Sequence, residues 1–153
     1  MLRSTRPSRS WMIELTLDDG VHMDDLLEFA RGYTAAWCSG NPRQVAEHYS
    51  PDGSLTINGG TPSVGRDAIT EAARGFMDGF PDLRVELDDL KIDGDSPEYH
   101  WTLTGTNTGP GGTGRLVRIS GFEQWTMSNE GLIAASVGSF DAADWDRQVN
   151  TEA

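Results

Sequence analysis

What most constrains this chain is a change of hydrophobic period near Leu83. Before it, apolar residues recur at helical spacing; after it, they alternate with polar ones. Leu26, Phe29, Ala30, Tyr33 and Trp37 form the stripe of a first helix that begins near Met23, where Asp24 and Asp25 favour the positive helix end. Gly40 ends it. Asn41-Pro42 starts a short second helix over 42–49, with Asn41 as cap, Pro42 at the first helical position, and Val45 and Tyr49 facing inward. Ser50-Pro51-Asp52-Gly53 reads as a turn and 54–58 as a short strand. A third helix spans 66–78, burying Ile69, Ala72, Ala73, Phe76 and Met77.

From Leu83 the chain reads as sheet. Leu83, Val85 and Leu87 alternate with Arg84, Glu86 and Asp88, and the break at Asp89 predicts a bulge. Gly94-Asp95 is a turn. Strands follow over 98–108, 116–128 and 132–140, and 141–149 closes the chain as one helical turn around Trp145. Alternation with one wet face predicts an antiparallel sheet, and helices grouped before strands predict an α+β fold. Residues 1–22 read as a flexible extension, 23–149 as a single domain, and 150–153 as a tail. Met12 and Met23 are both candidate start sites.

Composition narrows the partners. The 153 residues suit one core, and the net charge is −12, with all 24 acidic residues lying beyond Arg3, Arg6 and Arg9. Such a surface repels phosphate backbones, so neither nucleic acid nor a membrane is an expected partner. No apolar run is long enough to span a bilayer, and no apolar segment follows the N-terminal arginines as in a signal peptide. Cys38 is the single cysteine, so the cytoplasm is the expected compartment.

Glu123 is the sharpest chemical signal. It falls in the row Val117, Ile119, Gly121, Trp125 and Met127, so a regular strand aims its carboxylate at the core or a pocket. There its pKa should rise, and it could transfer protons near neutral pH. A bulge that turns Glu123 outward, or an ion pair with Arg118 or Arg115, is the structural alternative. Tyr33 lies on the buried helical stripe and needs a partner for its hydroxyl, either a substrate oxygen or a core group. Tyr99 and Asn107 share a face with Trp101 and Leu103 and are candidate pocket-wall groups; Asn107 could equally brace its own loop. Asn58 ends the short strand, where a loop amide is the simpler reading. Trp37, Trp101, Trp125 and Ile119 supply candidate apolar walls. His22, His48 and His100 lack metal-ligand spacing, so no metal is expected. The run 109–114 is not a phosphate loop, since no Lys-Ser/Thr ends it.

Taken in order, 33–42, Asp52-Gly53, 64–69, 80–83, 105–109, 120–123 and 130–133 resemble the SnoaL-like polyketide cyclases and ketosteroid isomerases of the nuclear-transport-factor-two superfold. The resemblance spans about residues 24–148. It implies a cone-shaped α+β barrel, with three N-terminal helices packed in a strongly curved sheet around a deep pocket. It also implies a homodimer and cofactor-free chemistry on a small apolar substrate. Tyr33 matches the isomerase tyrosine that binds the substrate oxyanion. Glu123 matches the acidic partner in that oxyanion hole and the acid/base aspartate of the cyclases. The chain departs from the pattern where the isomerase base is Asn58 or Ile57, and where the cyclase histidine and glutamine are Asn107 and Gly105. The expected function is a cofactor-independent cyclase or isomerase of natural-product biosynthesis, using Glu123 and Tyr33. An epoxide-opening cyclase or hydrolase and a non-catalytic binding or dimer-scaffold protein are the alternatives.

Overall fold

The computed structural model describes residues 19–93 and 96–150, with side chains for 24–92 and 96–150. Residues 1–18 of the flexible extension expected over 1–22, residues 151–153 of the tail expected over 150–153, and the Gly94-Asp95 turn lie outside these residues, as do the side chains of His22 and Met23. Helix α1 (Asp19–Cys38) starts ahead of the expected Met23; α2 (Pro42–Ala46) and α3 (Arg66–Gly79) follow. The sheet comprises β1 (Tyr49–Ile57), β2 (Ser63–Val64), β3 (Arg84–Asp93), β4 (Ser96–Thr106), β5 (Leu116–Met127) and β6 (Ile133–Phe140), and α4 (Ala142–Asn150) closes the chain.

Local signals place most of these elements. Gly40 takes a positive φ of 76° just past α1, a conformation that an L side chain resists. The Asn41 side chain accepts from Arg43 N, capping α2 ahead of Pro42. The α1 stripe buries Ala30, Tyr33, Ala36 and Trp37 against the inner sheet face.

Sheet order is β2-β1-β6-β5-β4-β3. The helices pack on one face of this curled sheet, giving the expected α+β architecture. The antiparallel expectation holds from β3 through β6 and for β1–β2, but β1 pairs parallel with β6, so the sheet is mixed. The cause lies in connectivity: the chain leaves β1 for the helical layer and returns to its other edge only at the end.

Three further differences are local. Helix α2 stops at Ala46, and Tyr49 opens β1 instead of ending a helix. The expected Ser50–Gly53 turn is absorbed as an irregularity of β1, where Tyr49 pairs with Ile133 but Ser54 pairs with Ala135. The last helix is longer than one turn, because Gln148 ties it to β5 through bonds with Arg118. The bulge predicted beside Asp89 is present: Leu87 pairs with Trp101 and Asp89 with His100, leaving Asp88 as the extra residue.

Gly121 is a close-approach glycine. A Cβ there would collide with the Ser139 carbonyl oxygen and lie 2.7 Å from Trp101 Cζ2. Gly121→Ala is therefore expected to destabilise the fold by about 1–3 kcal/mol through overpacking. Urea unfolding checks this, with the midpoint falling and the m-value unchanged.

Candidate active site

Strand β5 is regular where it matters. Glu123 pairs with Tyr99 on β4 and Gly138 on β6, so its side chain stays on the inner face between Gly121 and Trp125. It is 7% exposed. Neither structural alternative holds: no bulge turns it outward, and no arginine bonds it among the described residues. Arg115 donates instead to the Gln148 carbonyl, while Arg118 lies on the outward-facing row.

The carboxyl is held by one oxygen. Oε1 accepts from Tyr33 Oη at 2.9 Å, Trp125 Nε1 at 2.9 Å and Ser136 Oγ at 2.8 Å. Oε2 has a single 3.2 Å contact, with the same Tyr33 hydroxyl. An indole N–H can only donate, so Oε1 must remain an acceptor. When Glu123 is protonated, its proton therefore belongs on Oε2. Burial is the largest influence on this group and raises its pKa; the bonds from Trp125, Ser136 and Tyr33 oppose it without cancelling it.

Tyr33 sits behind the carboxyl. Its hydroxyl bonds Glu123 and lies 2.8 Å from the hydroxyl of Tyr49, and both phenols are fully buried. Burial, then the Glu123 charge, pushes both phenols well above their ordinary range, so they remain donors. Tyr99 shifts upward too, chiefly through burial, and its hydroxyl pairs with Thr34 Oγ1 at 2.6 Å.

In front of Glu123 lies a cavity of about 50 Å³. At roughly 10–15 Å³ per water, that is room for a few waters or one small ring-sized molecule. Glu123 is the one ionisable carboxyl on its wall among the described residues; apolar side chains such as Leu55, Ile57, Val85 and Leu103 supply much of the rest. Rings from Trp37, Phe76, Trp145, Phe140 and Trp101 surround it, with Tyr99 stacked on Trp125 beneath at 5.0 Å and 15°. The Trp101 indole N–H is buried and has no partner among the described residues.

Of the residues singled out in the sequence, the fold brings Glu123, Tyr99, Trp101 and Trp37 to the cavity wall. It puts Tyr33 and Trp125 behind the wall as donors to Glu123, so the Tyr33 hydroxyl does not face an occupant as the oxyanion role requires. Ile119 is buried at 4% exposure in the core cluster. Asn107 is a loop brace: Nδ2 donates to Gly79 O, and Oδ1 accepts from Thr113 N. Asn58, at a positive φ of 51°, accepts from Phe140 N through Oδ1. These bonds occupy both amides outside the cavity. Phe76, Phe140 and Trp145 on the cavity wall, Ser136 on Glu123 and Tyr49 on Tyr33 are positions that the sequence reading left unassigned. Alternation along β6 could have found Ser136; only the tertiary fold places Trp145. No cluster of three potential metal ligands occurs among the described residues.

The profile of the SnoaL-like domain family matches residues 30–136. The chain belongs to this family. A search of curated proteins finds no significant sequence relative. Among solved structures, TsrD from Streptomyces laurentii is 21% identical, covering 90% of this chain and 100% of its own, with a TM-score of 0.71. A putative SnoaL-like polyketide cyclase from Jannaschia is 18% identical, covering 86% and 92%, with a TM-score of 0.68. A ketosteroid isomerase-like protein from Catenulispora acidiphila, in complex with trimethylamine, is 15% identical, covering 80% and 92%, with a TM-score of 0.70. At these identities the likeness establishes the cone-shaped α+β fold shared with the isomerase-like proteins. Within the described residues, no helix is long and apolar enough to cross a membrane.

The raised pKa has a thermodynamic consequence. Folding favours protonated Glu123, so its contribution to stability is fully present below its ordinary value of 4.5 and is lost as pH rises through the folded-state value. Glu123→Gln cannot ionise. The difference in denaturation midpoint between variant and wild type is expected to move in the variant's favour from pH 4 to pH 8. A pH-independent difference would contradict the raised pKa.

Proposed function

We propose that this protein is a cofactor-independent acid/base enzyme, a cyclase or isomerase acting on a small apolar intermediate of polyketide-like chemistry. The observation that carries the reading is Glu123, a carboxyl on an apolar cavity wall with no basic partner among the described residues. Oε2–H donates a proton to the substrate. The carboxylate so formed keeps its three donors on Oε1 and takes a proton back from a second substrate position, restoring the acid. Tyr33, Trp125 and Ser136 are positioning residues: they orient the carboxyl and stabilise its anion without touching substrate. Tyr99, Trp37 and Trp101 pack against the substrate.

Two observations weigh against the alternatives. Epoxide hydrolysis with a separate base calls for a second inward carboxylate, and Glu123 has no such companion on the described wall. A binding-only role predicts an arginine on Glu123 or a pocket filled by side chains, and neither is found among the described residues. The family likeness to a polyketide cyclase supports ring closure or isomerisation.

Deuterium exchange at the α-carbon of small cyclic ketones, followed by NMR in D2O, tests the proton transfer directly. Wild type should accelerate exchange, and Glu123→Gln should lose about 10²–10⁴-fold. The Gln oxygen can keep the three donors at Oε1 while its amide replaces Oε2, so the fold should persist. Equal exchange by a folded Glu123→Gln variant would falsify the mechanism.

A cytoplasmic homodimer assembled through the outer sheet face completes the proposal. Phe122, stacked on His100 at 5.4 Å, and the half-exposed Val137 give that face an apolar centre. Sedimentation is expected to show a dimer that Val137→Asp shifts toward monomer; a monomeric wild type would remove this part.

A further inference from the structure

The aromatic side chains of the cavity form one connected arc. Trp37 meets Phe76 with ring centroids 6.0 Å apart, Phe76 meets Trp145 at 5.8 Å, Trp145 meets Phe140 at 5.6 Å, and Phe140 meets Trp101 at 6.0 Å. The interplanar angles are 76°, 81°, 54° and 69°, so neighbouring rings are steeply inclined rather than stacked. This arrangement brings rings from α1, α3, α4, β6 and β4 to one cavity. Aromatic faces carry partial negative charge, and a cation seated against them is attracted most strongly where water is excluded.

The polar groups have the same sign preference. The hydroxyls of Tyr33 and Ser136 and the N–H of Trp125 are committed to Glu123, and the Tyr99 hydroxyl pairs with Thr34. The Trp101 N–H is fully buried and open to no occupant, so an anion would find little to bind on the wall besides any proton on Glu123. A cationic occupant would find the arc together with a carboxylate whose Oε2 is not committed to a strong bond. Among the described residues, no lysine, arginine or histidine lines the cavity to oppose it.

We infer that the cavity selects an occupant bearing positive charge, of the small tertiary or quaternary ammonium class, with the aromatic arc around the cation and Glu123 as its counter-ion. The inference rests on the proposed function only in taking this cavity as the ligand site and Glu123 as its ionisable wall. It adds the charge of the ligand. The same preference suits a substrate that becomes cationic when Glu123 protonates it, because proton transfer then creates a carboxylate and a cation in contact, both stabilised where they form.

Choline and its neutral carbon isostere 3,3-dimethylbutan-1-ol separate charge from shape. Titration calorimetry of the full chain at pH 8 is expected to give choline at least about tenfold tighter binding than the alcohol. Glu123→Gln should bring the two ligands close together in affinity. Trp145→Leu, which removes one ring of the arc and leaves the carboxyl intact, should weaken choline about three- to tenfold while changing the alcohol less. Equal binding of both ligands by wild type, or binding of the alcohol alone, overturns the inference while leaving the proton-transfer reading to the exchange experiment. Failure of choline to bind at all overturns it too. Tight choline binding beside a Glu123→Gln variant that still exchanges ketone protons would keep the charge preference and remove the enzymatic mechanism, so the two failures are distinguishable.

Discussion

The three-donor grip on Glu123 Oε1 is the interaction on which the interior depends. It joins α1 through Tyr33, β5 through Trp125 and β6 through Ser136, and Tyr49 on β1 backs Tyr33. A buried carboxyl without such partners is costly, and a buried hydroxyl or indole N–H left alone costs about 1–3 kcal/mol. Each member of the cluster therefore satisfies another that would otherwise be stranded. Removing the carboxyl would leave the Trp125 and Ser136 donors unpaired, which makes this polar knot a specifier of helix-to-sheet register.

The knot also makes the two carboxyl oxygens unequal. Oε1 faces the protein and is saturated. Oε2 is left for the cavity. Burial favours the acid and outweighs the three donors that favour the anion, so the net effect of folding is to raise the pKa of this group. The aromatic walls contribute low polarity on the other side. Asn107 and Asn58 take no part, because the loops at the two sheet ends need their amides for backbone groups that would otherwise lack partners.

Much of this was legible along the chain. Alternation from Val117 to Trp125 gave the inward direction of Glu123 because β5 keeps its register there and shifts only after Thr126, and helical spacing put Tyr33 on the buried stripe. What alternation cannot supply is the partner across the fold. Tyr33 and Glu123 are distant in sequence, and a buried phenol looks the same in pattern whether it meets a substrate or a carboxylate. Tyr49 was misplaced on a helix because Pro42 starts a helix whose end, at Ala46, has no comparable breaker. Trp145 carried no periodic signal, since α4 is short and buries one side only against rings contributed by α3 and β6.

The parallel pairing of β1 with β6 sets an order of assembly. Residues 49–57 are made before α3 and β3–β5, but the strand that flanks them between β1 and β5 is made only after those elements. Until β6 arrives, Ser136 is missing from the carboxyl, and β1 lacks its main neighbour. Contacts of such long sequence separation are slow to form and leave strand edges open meanwhile. A nascent chain stalled before Ile133 would thus hold α1–α3 and the β3–β5 meander around an incomplete cavity, so chain termination upstream of β6 should yield a sticky species with no formed pocket.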